Sequence, residues 1–450
     1  MSEEVGSTRL AALLERTRHP VRGRVRLGLE RVSDLMAWLG NPQDRLRHVH
    51  VAGTNGKGSV IAFLEAILLQ AGWHVGRYTS PHLQRFGERL VIDRQEIDAA
   101  GLEACLKAVL QAPASGEATF FELTTAAAWL HFAGDGRLAG NNPEGKPAVV
   151  LLETGLGGRL DATNLIRPEM TVLTRIDLDH RDYLGETLEA IAFEKAGILK
   201  KGVAAVSARQ CRTVSRVLRE RAGQVGVDIH FSGEAFQWQK QGDGTWSFQE
   251  GDDLLPMPAP ALAGEHQYDN AAVAVATARR LGVVVGEVLA RGVAGAVWPG
   301  RLEWFPGRPA LLLDGAHNPA GAETLANYLK TLGSRPRILL FGALRDKDWP
   351  EMVSHLATCV DAVFCVPVDA SEGVAPDHFS ARWPLREPEM RLFADPAQGI
   401  AEAVRRLPPE GLLVVAGSLR LVGTVRSRVE EGLLPWLAEF PGTGRFKGIP

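Results

Sequence analysis

Apolar residues follow two alternating rhythms along this chain. Short β-rich runs are each followed by a longer stretch with helical spacing. "RHVHVA" precedes "VIAFLEAILLQAG", "PAVVLLE" precedes "ETLEAIAFEKAGILK", and "PALLLD" precedes "PAGAETLANYLKTLG". Runs of this kind, separated by helical segments, predict βαβ units and an α/β fold with a parallel sheet covered by helices on both faces.

The segment "VWPGRLEWFPGRP", residues 297–309, is dense in Pro and Gly and separates a helical stretch from a new strand. It places a domain junction near 299, giving domains 1–298 and 299–450. The runs "RILLFG", "DAVFCVPV" and "LLVVAGS" supply further buried strands for the smaller second domain. "FQWQKQGDGTWSFQEGDDLLPMP" predicts a β-hairpin with a Gly-Asp-Gly turn that closes the first domain on an antiparallel edge. Residues 134–147, "GDGRLAGNNPEGKP", predict a polar, mobile loop. Neither a repeat nor a low-complexity tract interrupts this pattern.

A length of 450 residues is itself more than one hydrophobic core usually spans, so two domains are expected. A net charge of −3 provides no general field for nucleic acid, so any anion must be held by a local site. Cys105, Cys211, Cys359 and Cys365 form no CxxC pair, and the opening "MSEEVGSTRL" is unlike an export leader. No apolar stretch reaches the ~18 residues a membrane span needs. The expectation is a soluble, cytoplasmic protein with neither nucleic acid nor membrane as partner.

The local site is suggested by "HVHVAGTNGKGSV", where Lys57 stands among Gly53, Gly56 and Gly58 between a strand and a helix. Such a turn aims backbone N–H groups and the positive helix end at one spot, and the lysine adds a point charge. It is built to hold phosphate, by a departure from the usual P-loop: Gly58 intervenes, and the hydroxyl comes at Ser59. Ligands of open parallel sheets sit beyond the carboxyl ends of the strands. There, "HVGRYT" leads to Ser80, "AVVLL" to Glu153 and "MTVLTRIDLD" to His180. Ser80 and Glu153 are oxygen ligands suited to Mg2+ on nucleotide phosphates, and an imidazole can ligate a second ion. Singly, each has an ordinary reading as a cap, a turn residue or a surface histidine; their convergence on one rim favours the site.

"HVAGTNGKGSV", "YTSPHL", "LLETGLGGRLDATN", "DHRDYLG", "FEKAGI", "GEHQYDNAA", "GRLEWF" and "DGAHNP" occur in this order from about Gly28 to "GSLRLVG". In this the chain resembles folylpolyglutamate synthases and dihydrofolate synthases, the folate branch of the Mur ligase superfamily. The resemblance implies a P-loop-containing parallel-sheet ATPase domain followed by a smaller Rossmann-like α/β domain. It also implies an ATP-dependent amide ligase, in which a substrate carboxylate becomes an acyl phosphate and L-glutamate displaces phosphate. The acid would be a folate or dihydropteroate.

Carried over by position, Thr54, Asn55, Gly56, Lys57, Gly58 and Ser59 would hold the ATP phosphates. Ser80 and Glu153 would bind the first of two Mg2+ ions and His180 the second, joined by Lys195 of "FEKAGI" as a carbamate. Asn270 would meet adenine, and Arg301, Asp314 and His317 would approach the nucleotide from the second domain, placing ATP between domains. Phe121 and Asp161 would contact the pterin. Lys57, His180, Lys195 and His317 are the expected catalytic groups. A site made within one chain needs no second copy, so a monomer is expected. Arg181 departs from the family pattern by adding a positive charge beside His180.

Two other functions fit less well. A nucleotide-dependent switch would carry an NKxD-like guanine-reading motif, and the chain has none. A Mur-type cell-wall ligase would need an N-terminal domain for its UDP-sugar, and only about 50 residues precede the loop.

Overall fold

The computed structural model describes residues 12–15, 17, 26–140, 144–368, 372–383 and 386–438. The expectations for "MSEEVGSTRL" and for residues 141–143 of the polar loop lie outside these. The chain gathers into two compact units, Met1–Ala261 with Gln267–Val297, and Leu262–His266 with Trp298–Pro450.

In the first unit β1 (His48–Ala52) is buried at every position, the pattern of a parallel strand covered on both faces. It lies in a sheet with β2 (His74–Tyr78), β3 (Leu90–Ile92), β4 (Gln95–Glu96), β5 (Ala148–Glu153), β6 (Met170–Leu173), β7 (Ala205–Ser207) and β8 (Ile229–Phe231). The order is β4-β3-β2-β5-β1-β6-β7-β8. Pairing is parallel from β2 to β8. Val51 sits beside Glu153 and Ala52 beside Leu173, so β1, β5 and β6 end level and open their following loops onto one rim.

The Lys57–Gln70 helix is buried along most of its length. It packs on the Gly286–Ala294 helix, where a Cβ at Gly292 would fall 2.5 Å from Ile67 Cα. Only glycine allows so close an approach, which fixes the helix that begins at Lys57.

The expected hairpin forms, with β9 (Gln237–Lys240) antiparallel to β10 (Trp246–Glu250) across the Gly-Asp-Gly turn, but together with β11 (Asp253–Met257) it makes a separate sheet in the order β11-β10-β9 rather than an edge of the main one. Its aromatic residues explain the correction. Trp238 stacks on Tyr268 of the His266–Arg280 helix and Trp246 meets the same ring edge-on, so this sheet packs on a helix rather than extending the main sheet. The antiparallel edge of the main sheet is β3 with β4.

Among its described residues the second unit has six strands: β12 (Glu303–Phe305), β13 (Ala310–Leu313), β14 (Arg337–Phe341), β15 (Ala362–Cys365), β16 (Glu389–Leu392) and β17 (Leu412–Ala416). Their order is β12-β13-β17-β14-β15-β16, parallel except for β12 at the edge. Alternate residues Leu339 and Phe341, and Leu412 and Val414, share a core with Leu325 and Leu329 of the Pro319–Thr331 helix. All four cysteines are free thiols. Among the described residues no helix is long and apolar enough to cross a membrane.

Candidate active site

β1 ends in the turn Gly53–Gly56, and its glycines are required. Gly53 has φ 155° and a Cβ there would lie 1.9 Å from Thr174 Oγ1; Gly56 has φ 91° and would meet Asn270 Oδ1 at 2.6 Å. The N–H groups of Thr54 and Asn55 donate to Arg175 O at 2.9 and 3.2 Å, and Thr54 Oγ1 donates to Asp177 O at 2.9 Å. These bonds tie the turn to the loop after β6. Gly56 is then the N-cap of the helix from Lys57, whose first N–H groups have no intrahelical acceptor and face the turn.

Lys57 Nζ donates to Gly53 O at 3.0 Å and Thr54 O at 3.2 Å, and lies 3.8 Å from Glu153 Oε1. Glu153, buried at the end of β5, accepts from the Ser80 N–H through Oε2 at 3.0 Å. Lys195 Nζ reaches the same Gly53 carbonyl at 2.9 Å. The sequence allows Lys195 to pair with Glu194, but Glu194 pairs with Arg159 at 2.8 Å, and Lys195 turns inward. Burial, and then the charge of Lys57, lowers the Lys195 pKa to about 7 against the opposing pull of Asp179, Asp161 and Glu153. Lys57, Ser80, Glu153 and Lys195 therefore meet at one rim.

His180 follows Asp179, whose charge acts on the Lys195 amine. It occupies the left-handed region at φ 51° and caps the Arg181–Leu184 helix, with Nε2 3.9 Å from Asp179 Oδ2. The extra charge of Arg181 is offset by its ion pair with Glu186. Among the described residues no group of three or more His, Cys, Asp or Glu forms a ready-made metal cage. The donor set at Ser80 and Glu153 still fits a hard divalent ion, because Mg2+ needs only one or two protein oxygens when phosphates complete its shell.

Asn270 reaches the turn through a residue that the sequence reading missed. Its Nδ2 donates to Gln267 Oε1 at 3.0 Å, and Gln267 Nε2 donates to the buried Ser59 Oγ at 3.3 Å. The i, i+3 spacing of Gln267 and Asn270 on one helix was the available signal.

Phe121 and Asp161 come together at the loop after β5. Phe121 follows the Thr119 N-cap, and its ring covers Gly155 so closely that a Cβ would lie 2.4 Å from Cζ. Asp161 is buried and accepts from Leu156 N at 2.7 Å, Thr163 N at 3.0 Å and Thr163 Oγ1 at 2.5 Å. Burial raises its pKa, while these bonds and one from Gly155 oppose the rise.

Within the second unit Arg301, Asp314 and His317 also form a group. Asp314 follows β13, accepting from Leu302 N and Ala316 N, each at 2.9 Å. Burial raises its pKa and the charge of Arg301 opposes this. Gly315 leaves room for Arg301, whose Nη1 would lie 2.0 Å from a Cβ. His317 Nδ1 is 2.8 Å from Gly315 O and, facing a carbonyl, carries the donated proton. His266, not singled out from the sequence, has its pKa lowered to about 4 by burial and by Arg301.

The chain is similar to known proteins along most of its length. Residues 300–419 match the family "Mur ligase, glutamate ligase domain". The dihydrofolate synthase/folylpolyglutamate synthase of Bacillus subtilis is 34% identical over 433 residues, covering 90% of this chain and 96% of that protein. Escherichia coli FolC, solved with DHPP and ADP, superposes with a TM-score of 0.84 at 32% identity, over 94% of this chain and 98% of that one. A bifunctional folylpolyglutamate synthase/dihydrofolate synthase with Mn, AMPPNP and L-glutamate bound gives 0.81 at 31% identity, with 94% and 98% coverage. With a phosphate-type turn, two lysines on one carbonyl and likeness along nearly its whole length, the chain belongs to the folylpolyglutamate synthase/dihydrofolate synthase family.

Proposed function

We propose that this chain is an ATP-dependent ligase that joins L-glutamate to the carboxylate of a folate or a dihydropteroate, acting as both folylpolyglutamate synthase and dihydrofolate synthase. The observation that carries the reading is the pair Lys57 and Lys195 on one carbonyl, Gly53 O, beside Glu153 at the phosphate turn. The substrate carboxylate oxygen attacks the γ-phosphorus of ATP and ADP leaves. The glutamate amine then attacks the acyl carbon, inorganic phosphate departs, and the amine proton is released.

Thr54, Asn55, Gly56, Lys57, Gly58 and Ser59 hold the phosphates in this reading, and Asn270 contacts adenine. Arg301, Asp314 and His317 are nucleotide contacts from residues 299–450, the glutamate-ligase domain, while residues 1–298 form the ATP-binding domain. Two divalent ions are assigned, one to Ser80 and Glu153, the other to His180 and Lys195. Bound with nucleotide, such ions neutralise charge that builds on the transferring phosphoryl group. Lys195 suits its role as a carbamate, because its amine, with a pKa lowered to about 7, is substantially neutral near pH 7 and so can add to CO2, releasing a proton. Phe121 offers a face to the pterin and Asp161 a carboxylate.

The test is a product assay with ATP and glutamate in which dihydropteroate and tetrahydrofolate are offered separately. Amide product from both supports the dual activity; product from only one removes the other half.

A further inference from the structure

The phosphate turn is preceded by a buried histidine for which the proposed reaction has no use. His50 lies on β1, fully buried, with Nε2 2.8 Å from Thr163 Oγ1. That hydroxyl in turn donates to Asp161 Oδ1 at 2.5 Å. A hydroxyl has one proton to give. With that proton given to Asp161, Thr163 Oγ1 must accept from His50, so Nε2 carries the imidazole proton and Nδ1 is a bare lone pair. Nδ1 has no hydrogen-bond partner, as this tautomer permits and an imidazolium would not. Burial, together with the charges of Lys200 and His48, lowers the His50 pKa to about 3, so the donor state is kept throughout neutral pH.

The chain of donors ends on a carboxylate that is almost fully occupied. Leu156 N, Thr163 N, Thr163 Oγ1 and a backbone bond from Gly155 take up its about four lone-pair sites. A pterin donor must share one of these sites, so a small rotation of Asp161 decides whether it can bind. We propose that His50 is a positioning residue for pterin recognition, acting through Thr163 to fix the Asp161 carboxylate and the Gly155–Thr163 loop. The inference rests on the reading that Asp161 meets the pterin, and the experiment separates the two.

Steady-state kinetics would be measured for His50→Leu, His50→Gln, Thr163→Val, Thr163→Ser and Asp161→Asn, varying the pterin acid, ATP and glutamate in turn. Loss of one buried donor predicts a rise of about tenfold in KM for the pterin acid in His50→Leu and Thr163→Val. The KM values for ATP and glutamate should stay within about twofold, and His50→Gln and Thr163→Ser, which keep a donor, should return pterin KM to within about threefold of the parent. The double variant His50→Leu/Thr163→Val should be no worse than either single one. An equal rise in all three KM values, or no rescue by glutamine, would overturn the proposal as a merely structural effect. A raised pterin KM in Asp161→Asn with none in His50→Leu or Thr163→Val overturns the role of His50 alone. An unchanged pterin KM in Asp161→Asn overturns the reading of Asp161 beneath it. Should His50→Leu fail to fold, the two Thr163 variants decide.

Discussion

Gly53 O accepts from two lysines, and the contrast between them sets the chemistry of the rim. Lys57 is 3.8 Å from a carboxylate, whereas Lys195 is buried with only partial compensation. Replacing Lys57 by Ala should lower kcat by roughly 10²- to 10³-fold, the usual effect of removing a transition-state charge partner, while Tm stays near that of the parent. A near-normal rate would remove Lys57 from the reaction. For Lys195 the sign follows from its pKa of about 7: the neutral amine that CO2 requires is lost as pH falls below 7. Activity should therefore fall on bicarbonate removal, more steeply at pH 6 than at pH 8, and Lys195→Ala should be rescued by short carboxylic acids. Unchanged activity without bicarbonate, combined with no rescue, would argue against the carbamate.

Two other buried groups on β1 govern acid stability. His48 and His50 both have pKa values lowered by burial to about 3, from an ordinary 6.5. The unfolded chain takes up protons first, so stability present above 6.5 is lost as pH falls toward 3. The slope is about 1.4 kcal/mol per pH unit for each histidine. Urea unfolding between pH 7 and pH 4 should be less steep in pH for His48→Gln than for the parent; equal slopes would contradict burial of a neutral ring.

At the scale of elements, the phosphate turn depends on close approaches that a side chain would block. Gly56→Ala places a Cβ 2.6 Å from Asn270 Oδ1 at a positive φ. It should cost about 1–3 kcal/mol and raise KM for ATP. Gly292→Leu pushes against the Ile67 backbone, and overpacking there should cost a further about 1–3 kcal/mol in a chemical melt. A parent-like melt for Gly292→Leu would mean that the two helices are not held in register by that contact.

The strands that carry the site were legible because each is a short β-rich run that ends at or beside a chemically distinctive residue. β1, β5 and β13 end beside Gly53, at Glu153 and beside Asp314 respectively. What the pattern did not disclose were contacts between distant segments. The pairing of β9 to β11 as a sheet of their own depends on Trp238 and Trp246 meeting Tyr268, and no local rhythm encodes that. Short β16, "EMRL", is half polar and so lacks the apolar run of its neighbours. Gln267 and His50 escaped notice for a related reason: their partners Ser59 and Thr163 lie far away in the chain.

At the scale of the whole molecule, the account describes one reaction in which nucleotide, divalent ion and two acids must all be present. Removing divalent ions with a chelator should abolish turnover, and added Mg2+ or Mn2+ should restore it, as a site built from Ser80 and Glu153 oxygens requires. The Lys57 turn should then couple nucleotide cleavage to bond formation rather than release ADP idly. The most direct measurement is the stoichiometry of ADP and glutamyl-amide product, by mass spectrometry, with dihydropteroate and L-glutamate present together or singly. The account predicts one ADP per amide bond in the complete mixture, little ADP when either acid is omitted, and both products formed roughly 10²- to 10³-fold more slowly by Lys57→Ala. Equal ADP release with and without the two acids, and no amide, would contradict it.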